Sequence, residues 1–164
     1  MNMARLNMTG VLAALMLLTA ACGFTPVHAP GGAGQALYDN VLVQAPNTKD
    51  SYFLVRHLEE RIGRGSGGEY RLDLTLETEE EGQALTLSNV ITRYSIVGVA
   101  TYALVRVADD VVVTKGTVEN FTGYSATGST VDTFAGERDA RERLMVILAD
   151  QISSRLYATQ GLGA

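Results

Sequence analysis

Few side chains in this 164-residue sequence have the type and spacing that chemistry requires. There is one cysteine, Cys22, and there are two histidines, His28 and His57, far apart in the chain. With no second thiol and no paired imidazoles, a zinc site has no ligand set. His57 falls within a helical pattern and reads as a helix-surface residue. No phosphate-binding loop occurs, and no dinucleotide glycine pattern or Gly-x-Ser-x-Gly elbow sits in a strand-turn-helix setting. The acidic run Glu77, Glu79, Glu80, Glu81 lacks the spaced oxygen ligands calcium prefers and reads as a solvated hairpin end. Asn120-Phe121-Thr122 matches a glycosylation sequon and is read as a chance match. The residues therefore predict no catalytic group, no metal site and no cofactor.

Cys22 is the exception, because of what precedes it. Arg5 lies in a short polar opening, residues 10–18 (GVLAALMLL) are apolar, and Thr19-Ala20-Ala21 places small residues directly before the cysteine. An apolar run of nine residues is too short to span a bilayer, which needs about 20. It has the length of an export-signal core. The small residues and the cysteine have the layout of a lipoprotein signal-peptidase site. In that chemistry the thiol takes a diacylglyceryl group, the chain is cut before Cys22, and the new amine is acylated. Each buried methylene contributes about 0.8 kcal/mol, so two or three acyl chains make an effectively permanent anchor. Lipidation also accounts for an otherwise unpaired thiol in an exported protein. Gly23 stands where an aspartate would retain a lipoprotein at the inner membrane, which favours the outer membrane.

The elements behind this anchor are those of one domain. Residues 1–21 read as signal peptide, 22–35 as a flexible lipidated tether rich in Gly and Pro, 36–158 as a single folded domain, and 159–164 as a disordered tail. The formal charge of −5 argues against nucleic acid as a partner, since binding a phosphate backbone needs surplus Lys and Arg.

Residues 37–45 (LYDNVLVQA), ending at Pro46, predict a first strand. Asn47 and Thr48 are suitable caps for a helix over 50–62, where Leu54, Val55, Leu58 and Ile62 recur at helical spacing. In residues 70–77 (YRLDLTLE), Tyr70, Leu72, Leu74 and Leu76 alternate with polar partners, as in a strand with one wet face. Glu79-Glu80-Glu81-Gly82 is expected to turn the chain into a long or bulged strand over 85–107, followed by a turn at Asp109-Asp110 and a fourth strand over 111–121. Residues 124–133 read as a long polar loop. A closing helix over 134–157 carries Ala140, Leu144, Ile147, Leu148, Ile152 and Leu156 as its apolar stripe, with Arg138 and Glu142 spaced to pair on its outer face. The order β-α-β-β-β-α predicts a two-layer α+β domain, a four-stranded, mostly antiparallel sheet covered on one face by two helices.

The start Cys22-Gly23-Phe24-Thr25-Pro26-Val27, this element order, and Ala140-Arg141-Glu142-Arg143-Leu144 leading into Ile147-Leu148-Ala149-Asp150-Gln151-Ile152 resemble the LPS-assembly lipoprotein LptE family. The likeness covers nearly all of the chain after Cys22. It implies a non-enzymatic outer-membrane lipoprotein that plugs the β-barrel protein LptD, helps it fold, and takes part in delivering lipopolysaccharide to the outer leaflet. A compact domain with a polar exterior suits a polar barrel lumen.

Lipopolysaccharide phosphates would call for Arg or Lys. Arg93, Arg106 and Lys115 lie in or near the central strands and are the candidate ligands, with Arg93 expected on the solvent face near Arg71. Ordinary surface pairing with Asp73 or Glu119 is the alternative for these cations. An alternative for the whole chain is a lipoprotein subunit of an ABC-type envelope lipid transport system.

Overall fold

Alternation of apolar and polar residues along three long strands sets the architecture. The structure, a computed structural model, describes residue 27, residues 32–85, residues 91–159 and residue 162. The signal peptide, Cys22, most of the tether and most of the tail lie outside the described residues. In chain order the elements are α1 (Ala33–Leu37), β1 (Val41–Val43), α2 (Lys49–Ile62), β2 (Tyr70–Leu85), β3 (Ile91–Arg106), β4 (Val111–Ser125) and α3 (Thr130–Tyr157).

The sheet runs β1-β2-β3-β4; β1 is parallel to β2, and the β2–β3 and β3–β4 pairs are antiparallel. Helices α2 and α3 lie against one face, which gives the predicted two-layer α+β fold. Register decides which residues face them. Leu72, Leu104 and Thr114 share one row, as do Leu76, Ala100 and Val118. Leu72, Ile96, Ala100, Leu104 and Val118 are buried under Leu54, Leu58 and Ile62 of α2 and Leu144, Leu148 and Ile152 of α3. Each of the buried Leu, Ile and Val side chains contributes about 1.5–3 kcal/mol through burial. At Gly98 the helix comes so close that an added Cβ would stand 3.0 Å from Leu144 Cδ2 and 3.1 Å from Leu148 Cδ1. Glycine at that point lets α3 settle onto the sheet.

Several boundaries differ from the sequence expectation. Leu37 does not open a strand; it closes the short helix α1, which begins in residues read as tether, and its side chain is fully buried. Asp39 then turns the chain at φ 58°, leaving only three residues for β1. Leu162, in the stretch read as tail, is also buried against the core.

Glu79-Glu80-Glu81-Gly82 is not a turn. These residues continue β2, paired with Val97, Ile96, Ser95 and Tyr94 of β3. The partner strand supplies hydrogen bonds over this whole length, which outweighs the weak strand preference of consecutive glutamates.

The expected polar loop over 124–133 shrinks to residues 126–129, because β4 runs to Ser125 and α3 starts at Thr130. The Ser129 side chain accepts from the Asp132 backbone N–H, and the Asp132 carboxylate accepts from the Ser129 N–H, a reciprocal cap that starts the helix one turn early. Glu142 does not pair with Arg138. It accepts a hydrogen bond from Arg56 of α2, while Arg61 reaches Asp150, so these charges join the two helices.

Candidate functional site

A deep cleft opens where the N-terminal ends of α2 and α3 meet β2. It has a volume of about 710 Å³. Thr48 positions its α2 wall: the Thr48 hydroxyl accepts from the Ser51 N–H, while the Ser51 hydroxyl accepts from the Thr48 N–H. This cap places Lys49 and Asp50 at the rim. Leu76 and Thr78 of β2 form the floor, and Phe134, Glu137, Arg138 and Arg141 of α3 form the far wall.

Arg141 organises the charges. Its Nη1 donates to Asp50 Oδ2 at 3.0 Å, its Nη2 to Glu80 Oε2 at 3.2 Å, and its Nε to Glu137 Oε1 at 2.8 Å. Partial burial on its own would lower the guanidinium pKa, but the hydrogen bond to Glu137 and the charges of Asp50 and Glu137 outweigh it and raise the pKa. Three carboxylates from α2, β2 and α3 thus share one cation. The Tyr124 hydroxyl donates to the other Glu80 oxygen at 3.1 Å. Burial, followed by that bond and the glutamate charge, pushes the Tyr124 pKa up to about 12. Tyr124 also stacks on Tyr94, with ring centroids 5.4 Å apart, in a second recess that shares Phe134 and Glu137 with the main cleft.

With its acids tied to Arg141, the cleft presents two exposed cations, Lys49 and Arg138, beside the apolar surfaces of Leu76 and Phe134. That pairing suits an amphiphile with an anionic head. Among the described residues no group of three or more His, Cys, Asp or Glu is placed to hold a metal ion. His57 lies in the charge network joining the helices: Nδ1 is 2.9 Å from Glu60, and Nε2 is 3.1 Å from the Arg56 guanidinium. Since a guanidinium is only a donor, Nε2 accepts and Nδ1–H donates.

The structure does not gather the three cations singled out from the sequence. Arg93 and Arg106 sit near opposite ends of β3, about 40 Å apart at 3.3 Å per residue. Arg106 is held by Asp109 at 3.2 Å. Lys115 is exposed on β4, in register with Ala103. Arg93 is exposed beside Ser125 and is far from Arg71, which faces Val105 and pairs with Asp73 at 2.8 Å. None of the three lines the cleft. Lys49, Phe134 and Arg138 do, and the sequence carries only indirect signals for them: the helix cap before Lys49, and Arg138 one turn beyond an aromatic residue too polar in its surroundings to be core.

The face of the sheet away from the helices bears Arg71, Asp73, Thr75, Glu77, Glu79 and Glu81 of β2 and the residues in register with them on β3 and β4. Thr101 and Thr117 hydrogen-bond across it at 3.1 Å. Phe121 is 66% exposed there.

No helix among the described residues is long and apolar enough to cross a membrane. The family model LptE, described as lipopolysaccharide-assembly, matches residues 38–156. None of the curated proteins matches the chain. Among solved structures, a lipoprotein from Caulobacter crescentus aligns with a TM-score of 0.64 at 21% identity, over 77% of this chain and 93% of that one. Rare lipoprotein B from Shewanella oneidensis aligns with a TM-score of 0.57 at 11% identity, over 74% and 94%. Lipoprotein B from Nitrosomonas europaea aligns with a TM-score of 0.56 at 14% identity, over 86% and 94%. At these identities the structural likeness concerns the fold.

Proposed function

The chain belongs to the LptE lipopolysaccharide-assembly family, and from that premise we propose that it is an outer-membrane lipoprotein, anchored through Cys22, whose domain plugs the β-barrel protein LptD. In that position it assists folding of the barrel and takes part in delivering lipopolysaccharide to the outer leaflet. Its role is non-enzymatic. The observation that carries the reading is the extent of the family match, from before β1 to within one residue of the end of α3. A two-layer domain whose charged residues lie mainly outside suits a water-filled, polar barrel interior.

The cleft gives the lipopolysaccharide contact a chemical basis. Lys49 and Arg138 supply charge for phosphate oxygens, while Phe134 and Leu76 supply an apolar wall for the adjoining hydrocarbon. Arg93, Lys115 and Arg106 are too widely spaced to grip one headgroup together, and each is proposed as a separate contact. The lipid anchor holds the domain at the membrane, and the stretch between Cys22 and α1 spans the gap to the barrel.

The test is affinity capture of the full-length protein after detergent extraction of the envelope. Co-purification of a large outer-membrane barrel is expected. Capture of an inner-membrane ATPase complex with no barrel would instead support a lipoprotein subunit of an ABC-type envelope lipid transporter.

A further inference from the structure

The helix-free face of the sheet carries a second feature, in the half nearer the β2–β3 connection. Three consecutive rows read Glu77–Val99–Glu119, Glu79–Val97–Phe121 and Glu81–Ser95–Gly123 across β2, β3 and β4. Three carboxylates on β2 and one on β4 therefore flank a strip made of two half-buried valines and an exposed phenylalanine ring. A recess of about 440 Å³ lies beside that ring, lined by Val97, Glu119, Asn120 and Phe121.

The charge pattern differs from the helix side. There, Asp50, Glu80, Glu137, Glu142 and Asp150 each meet an arginine. Among the described residues no cation lies within ion-pair distance of Glu77, Glu79, Glu81 or Glu119. Glutamates at alternate positions of β2 stand about 7 Å apart on one face and repel one another. A cationic counter-surface would relieve that repulsion at the same time as it covered the apolar strip. Lys115 and Arg93 lie on the same face at its two ends, so the acidic patch is bounded along the strands by positive charge. This alternation allows a complementary surface to dock in one register.

We propose that this face is a protein-docking surface, and that its partner is a wall bearing arginine or lysine side chains around an apolar recess that receives the Phe121 ring. A second copy of the chain does not suit it, because like-charged faces would meet. Anionic lipid headgroups and nucleic acid are repelled for the same reason. An aromatic anchor beside an apolar strip, with charged residues along the flanks, is the arrangement expected of an interface with an apolar centre and a polar rim. Resting on the plug reading given above, the inference identifies the partner wall as a basic, aromatic-accepting stretch of the barrel lumen.

The test uses full-length, tagged protein expressed in cells that carry the barrel, with capture in detergent. The triple variant E77K/E79K/E119K, and separately F121A, should each retain about tenfold less barrel than wild type, as loss of an aromatic anchor or of its flanking charges does. E69K, an exposed reversal just before the start of β2, should retain as much as wild type. Thermal melts of the variants should match wild type, since the altered side chains are exposed. As a measurement independent of folding, a photoreactive phenylalanine analogue at position 121 should cross-link to the barrel. If wild type captures the barrel while the variants capture it equally well and position 121 gives no cross-link, the docking face is wrong and the plug reading stands. If wild type captures no barrel, the plug reading falls and the inference falls with it.

Discussion

Arg141 Nη1 lies 3.0 Å from Asp50 Oδ2, joining two residues 91 positions apart in the chain. This contact closes the cleft between α2 and α3 at one end, and the same guanidinium ties both helices to Glu80 of β2. The walls that carry Lys49 and Arg138 are thereby held in a fixed relation to each other.

Replacing Arg141 by methionine should destabilise the domain, because Asp50, Glu80 and Glu137 would repel one another with no cation between them. A fully buried pair broken in this way costs 3–5 kcal/mol; with the side chain 23% exposed, solvent screening reduces the expectation to about 1–3 kcal/mol. R141K should fall between the two, since an ammonium keeps the charge but cannot present the three-way fork. Urea unfolding measures this, and an unchanged midpoint for R141M would contradict it.

Tyr124 makes stability depend on alkaline pH. Its pKa in the folded protein is raised to about 12 from 10.0, so the folded state favours the neutral phenol. The associated stability is fully present below pH 10 and is lost as pH rises from about 10 towards 12. Y124F should flatten that part of the stability–pH curve while losing the hydrogen bond to Glu80. Denaturation midpoints of both proteins between pH 9 and about pH 12 would check this; parallel curves would exclude Tyr124 as the source.

The contact of α3 with Gly98 predicts that G98V is destabilising. The new side chain would collide with Leu144 and Leu148, and such overpacking costs about 1–3 kcal/mol. L148A, at a fully buried position on the other side of the same contact, should cost about 2–5 kcal/mol through the cavity it leaves. Because the two positions touch, the double variant G98V/L148A should be less unstable than the sum of the singles, as thermal unfolding would reveal.

The proposed lipidation at Cys22 predicts that C22S accumulates as an uncut, unacylated precursor. Mass spectrometry and membrane fractionation of the variant provide the check. A mature mass and membrane association equal to those of wild type would refute the assignment of Cys22 as the anchor.

Much of the fold was legible in the sequence wherever one periodicity ruled. Tyr70, Leu72, Leu74 and Leu76 announce a strand with one wet face, and Leu144, Leu148, Ile152 and Leu156 announce a helix stripe, because burial of one face imposes a period of two or of three to four residues. The pattern was misleading where a partner element outweighed local preference. Glu79, Glu80 and Glu81 look like a turn by composition, yet β3 offers them a continuous ladder. The Ser129–Asp132 cap was present in the sequence, but a polar stretch conceals a helix start until the N-terminal hydrogen bonds are traced.

The sequence by itself determined the α+β class, the apolar faces that build the core, and Cys22 with the small residues before it as the expected lipid site. Only the tertiary structure decided which charges meet. Arg93, Arg106 and Lys115 looked equivalent as cations in strands, but strand length and register spread them along the sheet. Arg138 was expected to pair with Glu142 on an outer helix face, but the packing of α2 and α3 brings it to one cleft with Lys49 and Arg141. The physical reason is that periodicity reports which face of an element is buried, whereas a site depends on how far elements slide and rotate against one another, and that is settled by contacts such as Gly98 with Leu144 and Arg141 with Asp50.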